Sequence, residues 1–241
     1  MQKDPVISHL YSQMRFRIAG DRGLLVECGE TIDPAVNDKV RALKTVATQQ
    51  PIKGVTELVP SYRSLLAIYD PLQTDPRQLQ EDFTHLEQQL AQAEIPAPNT
   101  IEIPVCYGGE FGPDIDFVAR HNKISMDDVI QLHTEPLYRI YMIGFAPGFP
   151  YLGGLLDKLH TPRLKTPRLA VSAGSVGIAN DQTGMYPVQT PGGWQIIGRT
   201  PLILFDPNRS DPVLYQAGDR IRFVSISRQK YRQIRDTRGL M

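Results

Sequence analysis

Residues 141–200 read YMIGFAPGFPYLGGLLDKLHTPRLKTPRLAVSAGSVGIANDQTGMYPVQTPGGWQIIGRT. This segment holds ten of the 19 glycines of the chain and its only tryptophan. A glycine that is held in place loses much conformational freedom, so an ordered segment this rich in glycine needs a structural reason, such as tight turns or a backbone close to a ligand. Hydrophobic runs separate the glycines, unlike in a flexible Gly/Ser linker. The segment therefore predicts shaped loops on a β scaffold.

The rest of the second half continues this β pattern. Short apolar runs are separated by Gly-Gly, Asp-Pro, Thr-Gly and Gly-Asp pairs, a pattern typical of a barrel or a sandwich. Two short helices interrupt it, one near Asp116–His121 and one that begins with Ser125 and Asp128 as a capping box. Residues beyond Arg228 are basic and polar and predict a solvated helix. The predicted strands cover residues 101–109, 139–144, 175–180, 185–190, 194–200, 202–207 and 220–227.

The first half alternates strands and helices instead. Asp33-Pro34 and Asp75-Pro76 are two helix starts, each an N-cap residue followed by proline at the first helical position. Apolar residues at helical spacing follow both starts, which predicts core-facing stripes. Two helices among about four strands predict a small α+β sandwich with both helices on one face of the sheet.

The sequence AEIPAPNT, residues 93–100, interrupts every periodicity and predicts a linker. We therefore predict two domains. A small α+β domain covers residues 1–98, and an all-β barrel domain covers residues 99–241.

Composition narrows the class of protein. The chain has 241 residues, with 26 basic and 26 acidic side chains, so its formal net charge is zero. This balance argues against a nucleic acid or a membrane surface as partner, since both favour basic proteins. No apolar stretch approaches the ~18 residues that span a bilayer, and the N-terminus lacks an apolar signal core, so we expect a cytoplasmic protein. Cys28 and Cys106 lie in apolar runs and are expected to be buried and inert.

Familiar catalytic motifs are missing from the sequence. It contains no Gly-x4-Gly-Lys-Ser/Thr phosphate loop and no Gly-x-Gly-x-x-Gly. No two of the five histidines have metal-ligand spacing, so we predict no metal site. We therefore expect no self-contained active site in this chain.

The glycine-rich segment does offer groups that suit an anionic ligand. Three arginines lie among the glycines, and both guanidinium forks and backbone N–H groups favour carboxylates or phosphates. Aromatic side chains add rigid walls, and hydroxyl and amide groups add neutral hydrogen bonds. The alternative is that the arginines cap strand ends, the aromatics fill the barrel and the serine is a turn residue. The candidate ligand-binding residues are Arg163, Arg168, Ser175, Thr183, Tyr186, Gly192, Gly193, Trp194, Gln195 and Arg199.

Several segments together resemble the family of the first allophanate hydrolase subunit. They are GFAPGFPYLGGL, TPRLKTPR, AGSVGIANDQTGMYPVQTPGGWQIIGRTP and the closing GDRIRF. FRIAGDRGLLVECG and GVTELVPSYRSLLAIYDP in the first half resemble the family more loosely. The resemblance implies a cyclophilin-like β-barrel after a small α+β domain, similar to one part of the carboxyltransferase domain of urea carboxylase. The chain departs from the family at Ser172, where proline is usual, and at Asn180, where glycine is common.

The resemblance also implies an activity. It points to one component of a multi-protein 5-oxoprolinase, which opens 5-oxo-L-proline to L-glutamate while it hydrolyses ATP with Mg²⁺. Its partners would be the carboxyltransferase-type C component and the A component of that enzyme. The active site would be shared with the C component, and this chain would be inactive alone. On this hypothesis Arg168 and Arg199 are catalytic and stabilise the phosphoryl group in the transition state, while Tyr186 and Trp194 shape the site.

Three alternatives remain open at the level of the sequence. Another member of the family restrains a sensor histidine kinase, so this chain could be a protein-binding inhibitor. It could also belong to an allophanate- or urea-processing complex. Prolyl isomerisation by the barrel is the weakest alternative, because a shared fold does not carry a site with it.

Overall fold

The computed structural model describes residues 9–92 and 97–238. The chain divides into two compact units, Met1–Ala97 and Pro98–Met241, here called the N-terminal unit and the barrel unit. Residues 93–96, the first half of the predicted linker, lie outside the described residues. No helix in the described part of the chain is long and apolar enough to cross a bilayer.

The N-terminal unit is a four-stranded antiparallel sheet with two helices, which confirms the predicted α+β class. The strand order is β1-β2-β4-β3. Both predicted helix caps are present, because the carboxylates of Asp33 and Asp75 accept hydrogen bonds from the first backbone N–H groups of the helices. Its elements are β1 (Leu10–Ile18), β2 (Gly23–Gly29), α1 (Pro34–Gln49), β3 (Val55–Pro60), β4 (Ser64–Tyr69), α2 (Pro76–Glu87) and a 3₁₀ turn (Leu90–Gln92).

The core of this unit lies between the sheet and the two helices. Alternate residues of the central strands, such as Val26 and Leu65, are fully buried against the apolar stripes of the helices, which include Val40 and Phe83. Both helices therefore contribute to one continuous core with the sheet, as their spacing predicts.

The barrel unit is built on a closed seven-stranded barrel, which confirms the predicted barrel. The strand order around it is β10-β7-β6-β13-β5-β12-β9, and β8 pairs with β11 in a separate ribbon. Neighbouring strands are antiparallel, except that β5 and β13 are parallel. The elements are β5 (Thr100–Tyr107), α3 (Ile115–Asn122), α4 (Met126–Thr134), β6 (Tyr138–Ile143), β7 (Pro150–Gly153), a 3₁₀ turn (Asp157–Leu159), β8 (Arg168–Val171), β9 (Ser175–Ala179), β10 (Gln182–Met185), β11 (Thr190–Gly192), β12 (Gln195–Arg199), β13 (Arg220–Ser225) and α5 (Arg228–Arg238).

The helices of the barrel unit pack on the barrel through apolar side chains. Val118 of α3 and Val129 of α4 are fully buried in its core, and the predicted capping box of Ser125 and Asp128 is formed. α5 is less solvated than its sequence suggests. Tyr231 is 6 % exposed and packs against Phe111, with ring centroids 4.5 Å apart.

Two of the predicted strands differ from the structure. Residues 202–207 form no strand; Phe205 makes one isolated bridge with Val213, and the carboxylate of Asp206 accepts a hydrogen bond from the Asn208 N–H, which turns the chain. Residues 185–190 are divided, because β10 ends at Met185 and β11 begins at Thr190. Pro187 lies between them and has no N–H to donate to a ladder.

Both cysteines are buried and free, as predicted. Burial raises the pKa of the Cys28 thiol to about 12, and burial also raises the pKa of Cys106. Both thiols are therefore protonated near neutral pH and are poor nucleophiles.

Candidate functional site

A cavity lined mostly by aromatic side chains opens in the barrel unit. Its volume is about 260 Å³. The lining comes from the loop between β6 and β7, from β7, from the segment before β8 and from the segment around β11. We call it the aromatic cavity. It is lined by Phe145, Phe149, Tyr151, Arg163, Pro167, Tyr186, Pro191, Gly192, Gly193 and Trp194.

Phe149 holds the walls of the aromatic cavity together. Its ring makes edge-to-face contacts with Phe145, Tyr151, Tyr186 and Trp194, and the centroid distances are 5.4, 5.2, 5.4 and 5.5 Å. Such T-shaped contacts are favourable beyond the area they bury, and they restrict ring orientation. The cavity is therefore largely preformed.

The loop between β6 and β7 brings Phe145 to the cavity in an unfavourable backbone conformation. Its φ is 64°, and the N–H of Ala146 donates to the carbonyl oxygen of Gly144 at 2.7 Å, which closes a γ-turn. Pro147 and Gly148, with φ 78°, then form a turn of type II. A bulky residue at positive φ costs about 1–3 kcal/mol, and such strain recurs at functional sites. The Phe145 side chain nevertheless remains 65 % exposed.

Arg163, Tyr151 and Tyr186 carry polar side-chain groups of the aromatic cavity. The guanidinium carbon of Arg163 lies 5.9 Å from the centroid of the Trp194 ring, a cation–π contact. Within the described residues, Arg163 forms no salt bridge. Burial raises the pKa of the Tyr186 phenol, against opposing contributions from the Trp194 backbone and from Arg163. Tyr186 is therefore protonated near neutral pH and has a hydrogen to donate.

Gly192 shapes one wall of the cavity, and this gives a first prediction. A Cβ at Gly192 would lie 2.5 Å from the hydroxyl oxygen of Tyr186, a side chain that is 1 % exposed. We expect Gly192→Ala to destabilise the barrel unit by about 1–3 kcal/mol through overpacking, measured by thermal unfolding. Gly193→Ala is the matched control, because its Cβ would come no closer than 3.6 Å to Pro167. Equal stability of the two variants would contradict this account of the wall.

The structure brings half of the predicted ligand-binding residues together. Arg163, Tyr186, Gly192, Gly193 and Trp194 all line the aromatic cavity. The other half lie elsewhere in the barrel unit: Arg168, Ser175, Thr183, Gln195 and Arg199 do not line it.

Arg168 is held in an ion pair that sequence reasoning did not find. Its guanidinium donates to both carboxylate oxygens of Asp114, at 2.7 and 2.8 Å, and to the carbonyl oxygen of Trp194 at 3.2 Å. The same carboxylate accepts the backbone N–H of Ile196 at 2.6 Å. The Asp114 carboxylate thus ties Arg168 of β8 to Ile196 of β12. This geometry suits a positioning role for Arg168.

The remaining predicted residues also have partners within the protein. The Nε of Arg199 donates to the carbonyl oxygen of Ala173 at 2.9 Å, and the Gln195 amide donates to the carbonyl oxygen of Pro162 at 2.9 Å. Thr183 is fully buried in the barrel interior, where it contacts His133. Ser175 is a buried residue of β9 that pairs with Arg199 in the ladder.

Sequence reasoning missed Phe145 and Phe149, which line the cavity, and Asp114, which holds Arg168. The Pro147-Gly148 pair is typical of a turn and could have directed attention to its aromatic neighbours Phe145 and Phe149. Asp114 had no such signal, because its partner Arg168 lies 54 positions along the chain.

No metal centre accompanies the cavity in the part of the chain that the structure describes. Among residues 9–92 and 97–238, no three His, Cys, Asp or Glu side chains are grouped so that they could hold a metal ion.

The sequence of the chain matches a known protein family and several named proteins. The family described as "Carboxyltransferase domain, subdomain C and D" matches residues 14–215. The chain is 44 % identical over 222 residues to the B component of 5-oxoprolinase from Bacillus subtilis, covering 88 % of this chain and 92 % of that protein. It is 41 % identical over 213 residues to the protein of the same name from Escherichia coli O157:H7, covering 87 % and 95 %. A urea amidolyase from Lachancea kluyveri is 24 % identical over 268 residues, which cover 95 % of this chain and 14 % of that protein.

Two solved structures are similar as well. The crystal structure of TTHA0988 superposes with a TM-score of 0.75 at 35 % identity and covers 86 % of this chain. This chain spans only 40 % of the length of that solved chain. The crystal structure of PH0987 from Pyrococcus horikoshii is 46 % identical, with a TM-score of 0.54, and covers 90 % of this chain and 100 % of that chain.

Proposed function

The chain belongs to the family of the carboxyltransferase domain, subdomains C and D, and on this premise we propose that it is one component of an ATP-dependent 5-oxoprolinase. One observation carries the proposal. Relatives from three bacteria, each named as the B component of 5-oxoprolinase, are 41–53 % identical to this chain, and two of them match it over more than nine tenths of their own length. At this identity and coverage, the relatives support the same role for this chain.

The proposed reaction opens the lactam ring of 5-oxo-L-proline to L-glutamate. An amide carbonyl is a poor electrophile, and transfer of the γ-phosphoryl group of ATP to its oxygen activates the carbon and releases ADP. Water adds to that carbon, and the C–N bond breaks to free the amine. A second water releases phosphate and leaves the γ-carboxylate of glutamate. Most of the catalytic work in such a step is positioning and charge stabilisation.

We propose that the active site is completed by a second chain. The matching family covers subdomains C and D, and this chain spans 40 % of the solved TTHA0988 chain and 14 % of the Lachancea urea amidolyase. In those longer proteins further polypeptide accompanies the matching part. Here we assign that role to the C component of the enzyme, with the A component as a further partner. Because the proposed reaction consumes ATP, we expect the complex in the cytoplasm.

The aromatic cavity does not fit a whole nucleotide. The sequence has no phosphate-loop motif, and no described residue that lines the aromatic cavity is acidic. The volume of the aromatic cavity, about 260 Å³, is at the small end of ligand-binding pockets and too small for a whole nucleoside triphosphate. We therefore assign ATP and Mg²⁺ to the partner side of the site and attribute no step on them to residues of this chain.

Reconstitution tests the proposed function. We expect release of ADP and glutamate from 5-oxo-L-proline and ATP when this chain is mixed with the A and C components, and no release when this chain is left out. Omission of 5-oxo-L-proline or of ATP is the matched control for uncoupled hydrolysis. A stable complex without 5-oxoproline turnover would sink the proposal, and it would direct the search to another amide substrate, as the similarity to urea amidolyases suggests.

A further inference from the structure

We propose that the aromatic cavity binds the substrate itself, as a compact, ring-bearing carboxylate whose charge is taken by Arg163 and whose ring is covered by Phe145. This inference rests on the proposed function and extends it, because it names the part of the substrate that this chain recognises. It assigns the amino-acid-like substrate to this chain and leaves the nucleotide to the partner.

The size of the cavity favours a compact ligand. At about 260 Å³, it is at the small end of ligand-binding pockets. The edge-to-face contacts of Phe149 with Tyr186 and Trp194 fix the walls, so the cavity gains little volume without breaking them. A five-membered ring with one carboxylate is of a suitable size, and a nucleoside triphosphate is not.

The charge of the cavity favours a carboxylate. Arg163 is the one cationic residue among the described residues of the lining, and its Trp194 contact holds the guanidinium beside the cavity. None of the lining residues that the structure describes is acidic. Within the described residues, no carboxylate forms a salt bridge with Arg163, so its fork is free for a bidentate contact with a ligand carboxylate. The Tyr186 phenol, which burial keeps protonated, has a hydrogen for a carbonyl oxygen of the ligand.

Phe145 supplies the cover. Its backbone has a φ of 64°, which is unfavourable for a bulky residue, and its side chain is 65 % exposed. Its ring packs edge-on against Phe149 with the centroids 5.4 Å apart but stays mostly exposed, so packing within the chain offsets only part of this strain. The contact that compensates for the strain is therefore expected from a bound molecule. Phe145 lies in the lining of the cavity, where the lactam ring of the substrate would pack against it.

The test measures both Michaelis constants of the assembled complex. We expect Arg163→Ala to raise the KM for 5-oxo-L-proline by about 10- to 100-fold, the effect of losing one charged hydrogen-bonding partner, and to leave the KM for ATP unchanged. Arg163→Lys should recover part of the loss, because lysine restores the charge without the fork. Arg232→Ala, at an exposed arginine of α5, is the matched control and should change neither constant. An increase in the KM for ATP, or no change in either constant, would overturn the inference.

Phe145 gives an independent arm of the same experiment. Phe145→Gly removes the cover and suits the positive φ. We therefore expect a higher KM for 5-oxo-L-proline, by about 3- to 10-fold for the lost apolar contact, with no loss of thermal stability. A fall in stability together with an unchanged KM would show that the ring acts only in folding, and would remove Phe145 from the site.

Direct binding separates this inference from the proposed function. If the complex forms but does not turn over 5-oxo-L-proline, the proposed function fails, and titration of the full chain in that complex decides the inference alone. Trp194 is the only tryptophan of this chain and lies in the cavity wall. When the partner proteins are made without tryptophan, the tryptophan fluorescence of the complex therefore comes from Trp194 alone. We expect a response to 5-oxo-L-proline and a much weaker one to 2-pyrrolidinone, which lacks the carboxylate. Equal responses to both, or none to either, would refute a carboxylate site.

Discussion

Asp114→Ala is expected to lower the free energy of unfolding of the barrel unit by about 3 kcal/mol. The Asp114 carboxylate accepts three hydrogen bonds at 2.6–2.8 Å, two from the Arg168 guanidinium and one from the Ile196 N–H. Its removal leaves a guanidinium that is only 31 % exposed, and a strand N–H, without this acceptor. Breaking one side of a largely buried pair costs about 3–5 kcal/mol, and partial exposure of Arg168 lowers that figure. Thermal unfolding should show a decrease in Tm of about 6–12 °C.

A double-mutant cycle distinguishes this positioning role from a catalytic role of Arg168. If the pair acts as one structural unit, Arg168→Ala added to Asp114→Ala should cost little more stability, and the coupling energy should be about 1–3 kcal/mol. The two single variants should then lower activity of the assembled complex to similar extents. A much larger loss of turnover for Arg168→Ala, at matched stability, would instead support the catalytic role that the sequence suggests.

The fold could be predicted further than the site, because its signals are local. The caps at Asp33 and Asp75, and the capping box at Ser125, depend on residues two or three positions apart. The barrel follows from short strands and turn residues. The predicted strand at 202–207 was wrong because apolar composition alone does not show whether a segment has a neighbour to pair with.

The site could be predicted only in part, because its geometry depends on contacts between distant segments. Arginines near glycines look equivalent in the sequence. In the structure Arg163 reaches the cavity, whereas Arg168 is held by Asp114 and Arg199 binds the carbonyl oxygen of Ala173. Asn180 adopts a φ of 55° at a position where the resembled family favours glycine. Asparagine tolerates this left-handed conformation better than most other residues.

The barrel interior contains a polar network that the sequence did not reveal. The Thr183 hydroxyl donates its one hydrogen to the carbonyl oxygen of Gly177 at 3.0 Å, so it accepts at its 2.9 Å contact with His133 Nε2. Nε2 therefore carries the proton of a neutral imidazole, and Nδ1 accepts from the Tyr107 phenol at 2.8 Å. Each side-chain polar atom of this network has a partner, which is the condition under which a polar network is tolerated in a core.

This network makes the stability of the barrel unit depend on pH. Burial lowers the pKa of His133 to about 3 from a value near 6.5 in an unfolded chain. Above pH 6.5 both states are neutral, and His133 adds no pH dependence. Below pH 6.5 the unfolded state binds a proton that the folded state does not, so the free energy of unfolding falls by about 1.4 kcal/mol per pH unit. Between pH 6.5, where the unfolded histidine is half protonated, and pH 4.5 we expect a loss of about 2 kcal/mol from this one residue.

Denaturant unfolding of the whole chain at a series of pH values, followed by Trp194 fluorescence, tests this expectation. We expect the stability of wild type to fall more steeply between pH 6.5 and pH 4.5 than that of His133→Gln, which keeps an N–H donor for Thr183 but does not titrate. The difference between the two slopes removes the contribution of carboxylates that titrate in the same range.

His121→Gln, at an exposed histidine of α3, is the matched control and should retain the wild-type slope. Because the measure is a slope, a lower overall stability of His133→Gln does not affect it. Parallel slopes for all three proteins would mean that His133 takes up a proton in the folded barrel as readily as in the unfolded chain, which its buried position and its use of both ring nitrogens argue against.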